Sequence, residues 1–325
     1  MKKYLAIILS SAIALSACST VTPTRALTPL TLQLRWTHNA QFAGFYAAEQ
    51  NGYYAAEGLA VTFVQGGATV DFLTPVIDGK TQLGIHGAEA LVAARAQGKP
   101  VQAVAVVYRR SPNVFITLAT SNIKRPQDFV GKTIQVGSGS GRLILRAVTS
   151  QMGIRQDQFT EVPLTAELTQ LTSGQAQVMT GFLTDQPLTL RKAGYTVNLI
   201  FPDDYGVHFY GDTIFTTDEY AKANPQIISR FLRATFKGWT YVVENPDTVA
   251  TLIVKYKADA DTALEVSKMI ASLPLVNTGE DRIGWMKLDI WAEMEKTLRE
   301  QKVITTSVDV TQMYTMQFLK EVYGK

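Results

Sequence analysis

At 325 residues the chain exceeds the size at which one core usually stops growing, so two domains are expected, and its 46% hydrophobic content suits an ordinary soluble core. Its 31 basic and 28 acidic residues leave a formal net charge of +3, which argues against nucleic acid as a partner, because that needs a basic face. A single cysteine excludes an intrachain disulfide.

The first residues have the layout of a secretory signal. Lys2 and Lys3 are followed by a mostly apolar run from Tyr4 to Leu15, then by Leu15-Ser16-Ala17-Cys18. The run is too short to cross a bilayer, which takes ~20 apolar residues per helix. Leu15 to Cys18 resembles the bacterial lipobox. Residues 1–17 therefore read as a signal peptide, and Cys18 as a lipidation site. Its thiol takes a diacylglyceryl group, and its freed amine can then be acylated. Two or more chains make such an anchor stable, since each buried methylene contributes roughly 0.8 kcal/mol. Residues 18–29, rich in Ser, Thr and Pro, read as a flexible tether. Loss of Lys2 and Lys3 takes the net charge from +3 to +1. The expected location is the cell membrane, lipid-anchored and facing the outside or the periplasm.

After the tether, Leu30 to Trp36 alternates as a strand, and Phe42, Phe45, Tyr46 and Glu49 have helical spacing up to Asn51-Gly52. Leu59 to Val64 reads as a strand, Val70 to Ile77 as a helix, and Leu83-Gly84-Ile85 as a strand. A helix from Glu89 to Gln97 and a strand from Val101 to Tyr108 follow. This rhythm predicts an α/β fold with a largely parallel sheet. A second unit repeats it, with strands at Lys132 to Val136, Ala176 to Phe182 and Val197 to Phe201 and a helix from Arg142 to Met152. The last third is mainly helical. One long helix carries Ile227, Ile228, Phe231, Leu232, Thr235 and Trp239 on one face, and Asn245-Pro246 breaks it and starts the next. Two more are expected near Met286 to Leu298 and Val310 to Tyr323. Val114 to Ala119 and Gly211 to Thr216 are the candidates for two strands crossing between the units. The expected organisation is lobe 1 from residues 30–115 and 216–325, lobe 2 from 116–215, and a ligand cleft between them.

The candidate binding residues sit at strand-to-helix turns. Trp36 to Tyr46 joins a strand's carboxyl end to a helix's amino end, where free N–H groups point outward. Trp36 can stack on a flat ring, and Asn39 and Gln41 can bond its edge. Phe42 and Tyr46 belong to the same stretch, though helical spacing also suits a core role. Glu89, after His86-Gly87-Ala88, either reads a ligand N–H or is a first-turn acid favoured by the helix dipole. Tyr108 ends the fourth strand. Gly137-Ser138-Gly139-Ser140-Gly141 is not the dinucleotide fingerprint, because Arg142 stands where the last glycine belongs. Ser138, Gly139 and Ser140 either wrap N–H groups around a ligand oxygen or a phosphate or form a turn whose Ser140 simply caps the helix. Asp185 either faces the cleft or caps a helix. Tyr210 and Asp212, two apart in an extended segment, are expected to share a face. That pair would suit a ring bearing N–H groups, and a packed hinge is the alternative.

Enzyme motifs fail. Gly131-Lys132-Thr133 has Pro126 where a nucleotide-binding loop needs glycine. Gly137-Ser138-Gly139 lacks the nucleophile-elbow spacing. The three histidines, at 38, 86 and 208, have no metal-ligand spacing. No catalytic residue, metal or cofactor is expected.

Several segments carry a family resemblance. They are Leu34 to Tyr46 (LRWTHNAQFAGFY), Gly52 to Leu59 (GYYAAEGL), Ala94 to Pro100 (ARAQGKP) and Phe209-Tyr210-Gly211-Asp212. Together they make the chain resemble the solute-binding proteins related to yeast thiamine-pyrimidine synthase, which have type II periplasmic-binding folds. The resemblance implies a two-lobed α/β binder of flat nitrogen heterocycles, with an aromatic-lined cleft. It assigns stacking and edge-reading to Trp36 and Asn39, and ligand contact to Glu89, Tyr210 and Asp212. The synthase branch uses a cysteine-rich motif that a chain with only Cys18 lacks, so that activity is not expected. The lipoprotein start resembles the riboflavin-binding branch, with an aminopyrimidine precursor of thiamine as the alternative ligand. The implied partners are an ABC permease and its ATPase subunit, acting with a monomeric binder.

Overall fold

The structure, a computed structural model, describes residues 26–137, 139–165 and 167–324. Cys18, the leader and Ser138 lie outside the described residues.

Ten strands form two five-stranded sheets. The first contains β1 (Thr28–Gln33), β2 (Leu59–Val64), β3 (Leu83–Gly87), β4 (Val101–Val106) and β10 (Asp212–Thr217), in the order β2-β1-β3-β10-β4. The second contains β5 (Asn113–Leu118), β6 (Thr133–Val136), β7 (Thr160–Pro163), β8 (Val178–Phe182) and β9 (Val197–Ile200), in the order β7-β6-β8-β5-β9. This is the expected two-lobed α/β fold. Thr28 and Pro29, expected in the tether, instead open β1, which pairs with β2 from Thr28 onward.

The sheets are less parallel than the rhythm of elements suggests. β10 runs antiparallel to both β3 and β4, and β5 runs antiparallel to both β8 and β9. Each is the first strand after the chain passes between lobes. A strand arriving from the other lobe enters a sheet at the cleft end, so it runs opposite to strands that finish there. Val114 to Ala119 and Gly211 to Thr216, expected to cross, therefore lie almost wholly within single sheets. The passages precede them, and Tyr108 and Gly211 meet there, with Gly211 N donating to Tyr108 O at 2.8 Å.

Helices cover the sheets: α1 (Ala43–Gln50), α2 (Ala88–Ala96), α3 (Ser140–Gln151), α4 (Gln186–Lys192), α5 (Pro225–Glu244), α6 (Thr262–Val276), α7 (Leu288–Glu300) and α8 (Gln317–Tyr323). α5 buries the stripe read from the sequence, including Ile228, Phe231, Leu232, Thr235 and Trp239. Its backbone lies close against α1, because a Cβ on Gly238 would stand 2.1 Å from Gly44 O. Only Thr74–Ile77 of the helix expected from Val70 forms, and Asp71 Oδ1 accepts from Leu73 N and Thr74 N at its start. The expected helix from Val310 is interrupted, since Met313 O and Thr315 N bond Ala103 of β4. α6 escaped the periodicity because its buried face carries Glu265, Lys268 and Ser272 beside Met269. β7 escaped because, as an edge strand, it buries no side chain completely. Among the described residues no helix is long and apolar enough to cross a membrane.

Candidate functional site

The parallel strands of both sheets end at the cleft, and the reversed strands begin there. Asp212, first in β10, pairs in register with Gly87, last in β3, and Asn113, first in β5, with Phe182, last in β8. Between the lobes lies a cavity. From lobe 1 it is lined by Arg35, Trp36 and Gln41, which follow β1, and by Gly67, Ala68 and Phe72. From lobe 2 come Asn113, the start of α3 at Ser140 and Gly141, the end of β8 at Thr180 to Phe182, and Gln186 of α4, with Gly137 and Leu164. Trp36, Phe72 and Phe182 supply aromatic faces. Gln41, Asn113 and Gln186 supply amides, each able both to donate and to accept.

The floor is ionic. Asp212, 1% exposed, accepts from Arg35 Nη1 at 3.0 Å through Oδ1 and from Gln41 Nε2 at 2.6 Å through Oδ2. Burial pushes the Asp212 carboxyl above its ordinary range, against the pull of Arg35 and Gln41. The Arg35 guanidinium then reaches across the cleft to within 4.9 Å of the Phe182 ring centre. Beside this floor, a Cβ on Gly87 would meet the Glu89 carboxylate at 2.1 Å and Ser140 Oγ at 2.4 Å, so the two lobes touch closely there. Burial also raises the Glu89 carboxyl, with Arg35 and Ser140 acting in the other direction. His86 accepts from Gly87 N at 2.8 Å through Nδ1, and burial pushes its pKa down to about 3, leaving the ring neutral.

The expected residues divide. Trp36, Gln41 and Ser140 line the cavity, and Asp212 holds Arg35 and Gln41 in place. Asn39 is not in the wall. Its Oδ1 accepts from Gln41 N at 2.8 Å, capping the short helix Ala40–Phe42 and orienting Gln41. Phe42 and Tyr46 face the lobe 1 core, where Tyr46 stacks on Tyr256 with centroids 4.1 Å apart. Glu89 is fully buried and absent from the lining. Tyr108 is a hinge residue whose hydroxyl donates to Ser272 Oγ at 3.0 Å. Gly139, with φ 73°, packs against His86 and lines a separate pocket with Arg142 and Arg146. Asp185 neither caps α4 with its side chain nor lines the cavity, because Lys268 of α6 holds its Oδ1 at 2.7 Å.

Tyr210 and Asp212 do not share a face. β10 begins only at Asp212, and Tyr210 turns away to pack edge-on against Trp291 and accept from Lys287 N at 3.1 Å. Sequence reasoning missed Arg35, Phe72, Asn113, Thr180, Phe182 and Gln186. Arg35 and Phe182 were in view as neighbours of identified turns. Asn113 required knowing that β5 is reversed. Among the described residues no group of three or more His, Cys, Asp or Glu side chains is placed to hold a metal ion.

Such a cavity can stack a flat ring on aromatic faces and read its edge with amides. A riboflavin-binding protein RibY of Chloroflexus aurantiacus is 26% identical, with 94% of each chain covered. A formylaminopyrimidine-binding protein of Halalkalibacterium halodurans is 28% identical over 89% of this chain and 92% of its own. A 4-amino-5-hydroxymethyl-2-methylpyrimidine phosphate synthase of Legionella pneumophila is 26% identical over 90% and 92%. In fold, the chain is similar to the periplasmic aliphatic sulphonate-binding protein SsuA of Escherichia coli, with TM-score 0.67 and 17% identity over 87% of this chain and 91% of that one. The profile of the family described as NMT1/THI5 like matches residues 39–249, well over half of the sequence, and the chain belongs to that family.

Proposed function

We propose that the chain is the solute-binding component of an ABC importer and that it captures a flat nitrogen heteroaromatic vitamin, riboflavin ahead of an aminopyrimidine precursor of thiamine. The observation that carries this reading is the inter-lobe cavity with aromatic faces from Trp36, Phe72 and Phe182 and amide edges from Gln41, Asn113 and Gln186. The lipid on Cys18 holds the binder at the membrane surface, outside the cell or in the periplasm. Ligand-biased closure of the lobes gives a permease and its ATPase subunit the means to tell loaded from empty. The chain carries no catalytic role in this reading.

The test is titration of intrinsic tryptophan fluorescence with riboflavin, hydroxymethylpyrimidine and formylaminopyrimidine, followed by mass spectrometry of small molecules that co-purify. Riboflavin is expected to quench strongly, and the preparation to be yellow. Fluorescence unchanged by all three compounds would overturn the proposal, and a response to the pyrimidines alone would move the ligand to the alternative.

A further inference from the structure

We propose that Lys268 is a clasp between the lobes, a positioning residue that ties their closure to both walls of the cavity; this rests on the binding reading above. Lys268 projects from α6 of lobe 1, yet its ammonium meets a carboxylate from each lobe. Asp185 Oδ1 of lobe 2 lies at 2.7 Å and Glu265 Oε1 of lobe 1 at 3.0 Å. The three side chains are largely buried, with exposures of 9% for Lys268, 15% for Asp185 and 2% for Glu265.

The second oxygen of each carboxylate continues to a cavity wall. Asp185 Oδ2 accepts from Gln186 Nε2 at 2.9 Å, and Gln186 Oε1 accepts from Phe182 N at 2.7 Å. Both of those residues line the cavity. Glu265 Oε2 accepts from Ala40 N at 2.6 Å, one residue before Gln41, which donates to Asp212. A series of hydrogen bonds thus runs from the lobe 2 wall through one ammonium to Ala40, the residue before Gln41 of the lobe 1 wall.

The charges give the clasp its direction. With Lys268 present, the closed form buries one cation between two anions. Without it, the closed form buries two carboxylates with no counter-charge, whereas opening lets Asp185 regain water. On opening, Lys268 keeps Glu265 within its own lobe, and only the Asp185 contact breaks. Lys192 of α4 also pairs with Asp261 at the start of α6, but both are substantially exposed, so that pair is screened and contributes little. A ligand bridging Gln41 and Gln186 would hold the two walls at the spacing the clasp needs.

Hydrogen exchange read by mass spectrometry on the full-length chain without ligand tests this. Lys268→Met and Asp185→Asn are each expected to speed exchange about tenfold or more in segments 39–43 and 182–188, with β3 and Val178 to Gly181 of β8 unchanged. Combining them should add little, and Lys268→Arg should retain the protection because it keeps the charge. Wall exchange unchanged in both variants, or a rise in Asp185→Asn spread evenly over both sheets, would overturn the clasp. Riboflavin as probe should dissociate about tenfold faster from both variants. A chain that binds no riboflavin would count against the flavin reading alone, since the exchange measurement needs no ligand.

Discussion

Asp212→Asn asks whether the cavity floor is a mutually dependent charged unit. The carboxylate is buried, and it accepts one hydrogen bond from Arg35 at 3.0 Å and one from Gln41 at 2.6 Å. Arg35 is itself only 7% exposed. Hydrogen bonds to charged groups contribute roughly 1.5–3 kcal/mol each, and a buried charge deprived of its partner costs about 3–5 kcal/mol. Asparagine keeps one acceptor oxygen, so the loss should fall near the lower end, about 3 kcal/mol. Urea denaturation at neutral pH measures it by linear extrapolation. The paired replacement Arg35→Met with Asp212→Leu removes both charges and should cost less than the sum of the single changes. Riboflavin binding should weaken in the single variant as well, because Arg35 is no longer held over Phe182. A loss under about 1 kcal/mol, or full additivity in the cycle, would refute the reasoning.

Three further outcomes are expected. His86 titrates near 6.5 when unfolded but only at about 3 when folded, so its contribution is complete above pH 6.5 and is lost as pH falls toward 3. Against His86→Asn, which keeps an acceptor for Gly87 N, the wild-type chain should lose about 2 kcal/mol more between pH 7 and pH 5; urea midpoints at both pH values would check it. Gly238→Ala would place a Cβ 2.1 Å from Gly44 O and 2.7 Å from Ala48 N, and forcing α1 and α5 apart should cost about 1–3 kcal/mol despite alanine's better helix propensity, measured by thermal denaturation. The proposed lipid on Cys18 is tested by Cys18→Ser, for which intact-mass measurement is expected to find no acyl groups and fractionation to find the protein released from the membrane.

Local chemistry carried most of the element pattern. The alternation of Leu30, Leu32 and Leu34, the run from Leu59 to Val64 and the stripe of α5 depend on one chain's own periodicity. So does the placing of Trp36, Gln41 and Ser140, since a turn between a strand's end and a helix's start is legible wherever both are. Asn39 was legible as a turn residue, but whether its amide faces ligand or backbone depends on a difference of a few ångströms that periodicity does not encode. α6 was hidden because its buried face carries the polar Glu265, Lys268 and Ser272, and that breaks the apolar stripe by which helices are found.

The sequence by itself determined that the chain has two α/β units with strand-to-helix turns facing a common cleft, and that its lone cysteine sits outside them. Only the tertiary structure decided which residues meet in that cleft. β5 and β10 enter their sheets reversed, so Asn113 and Asp212 come to the cleft from strand beginnings, whereas a parallel reading looks only at strand ends. Asp185 and Lys268 are 83 positions apart and on different lobes, and nothing in either segment's periodicity shows that closure makes them partners. Side-chain spacing is a local property, whereas the neighbours of a buried charge are set by how the lobes pack.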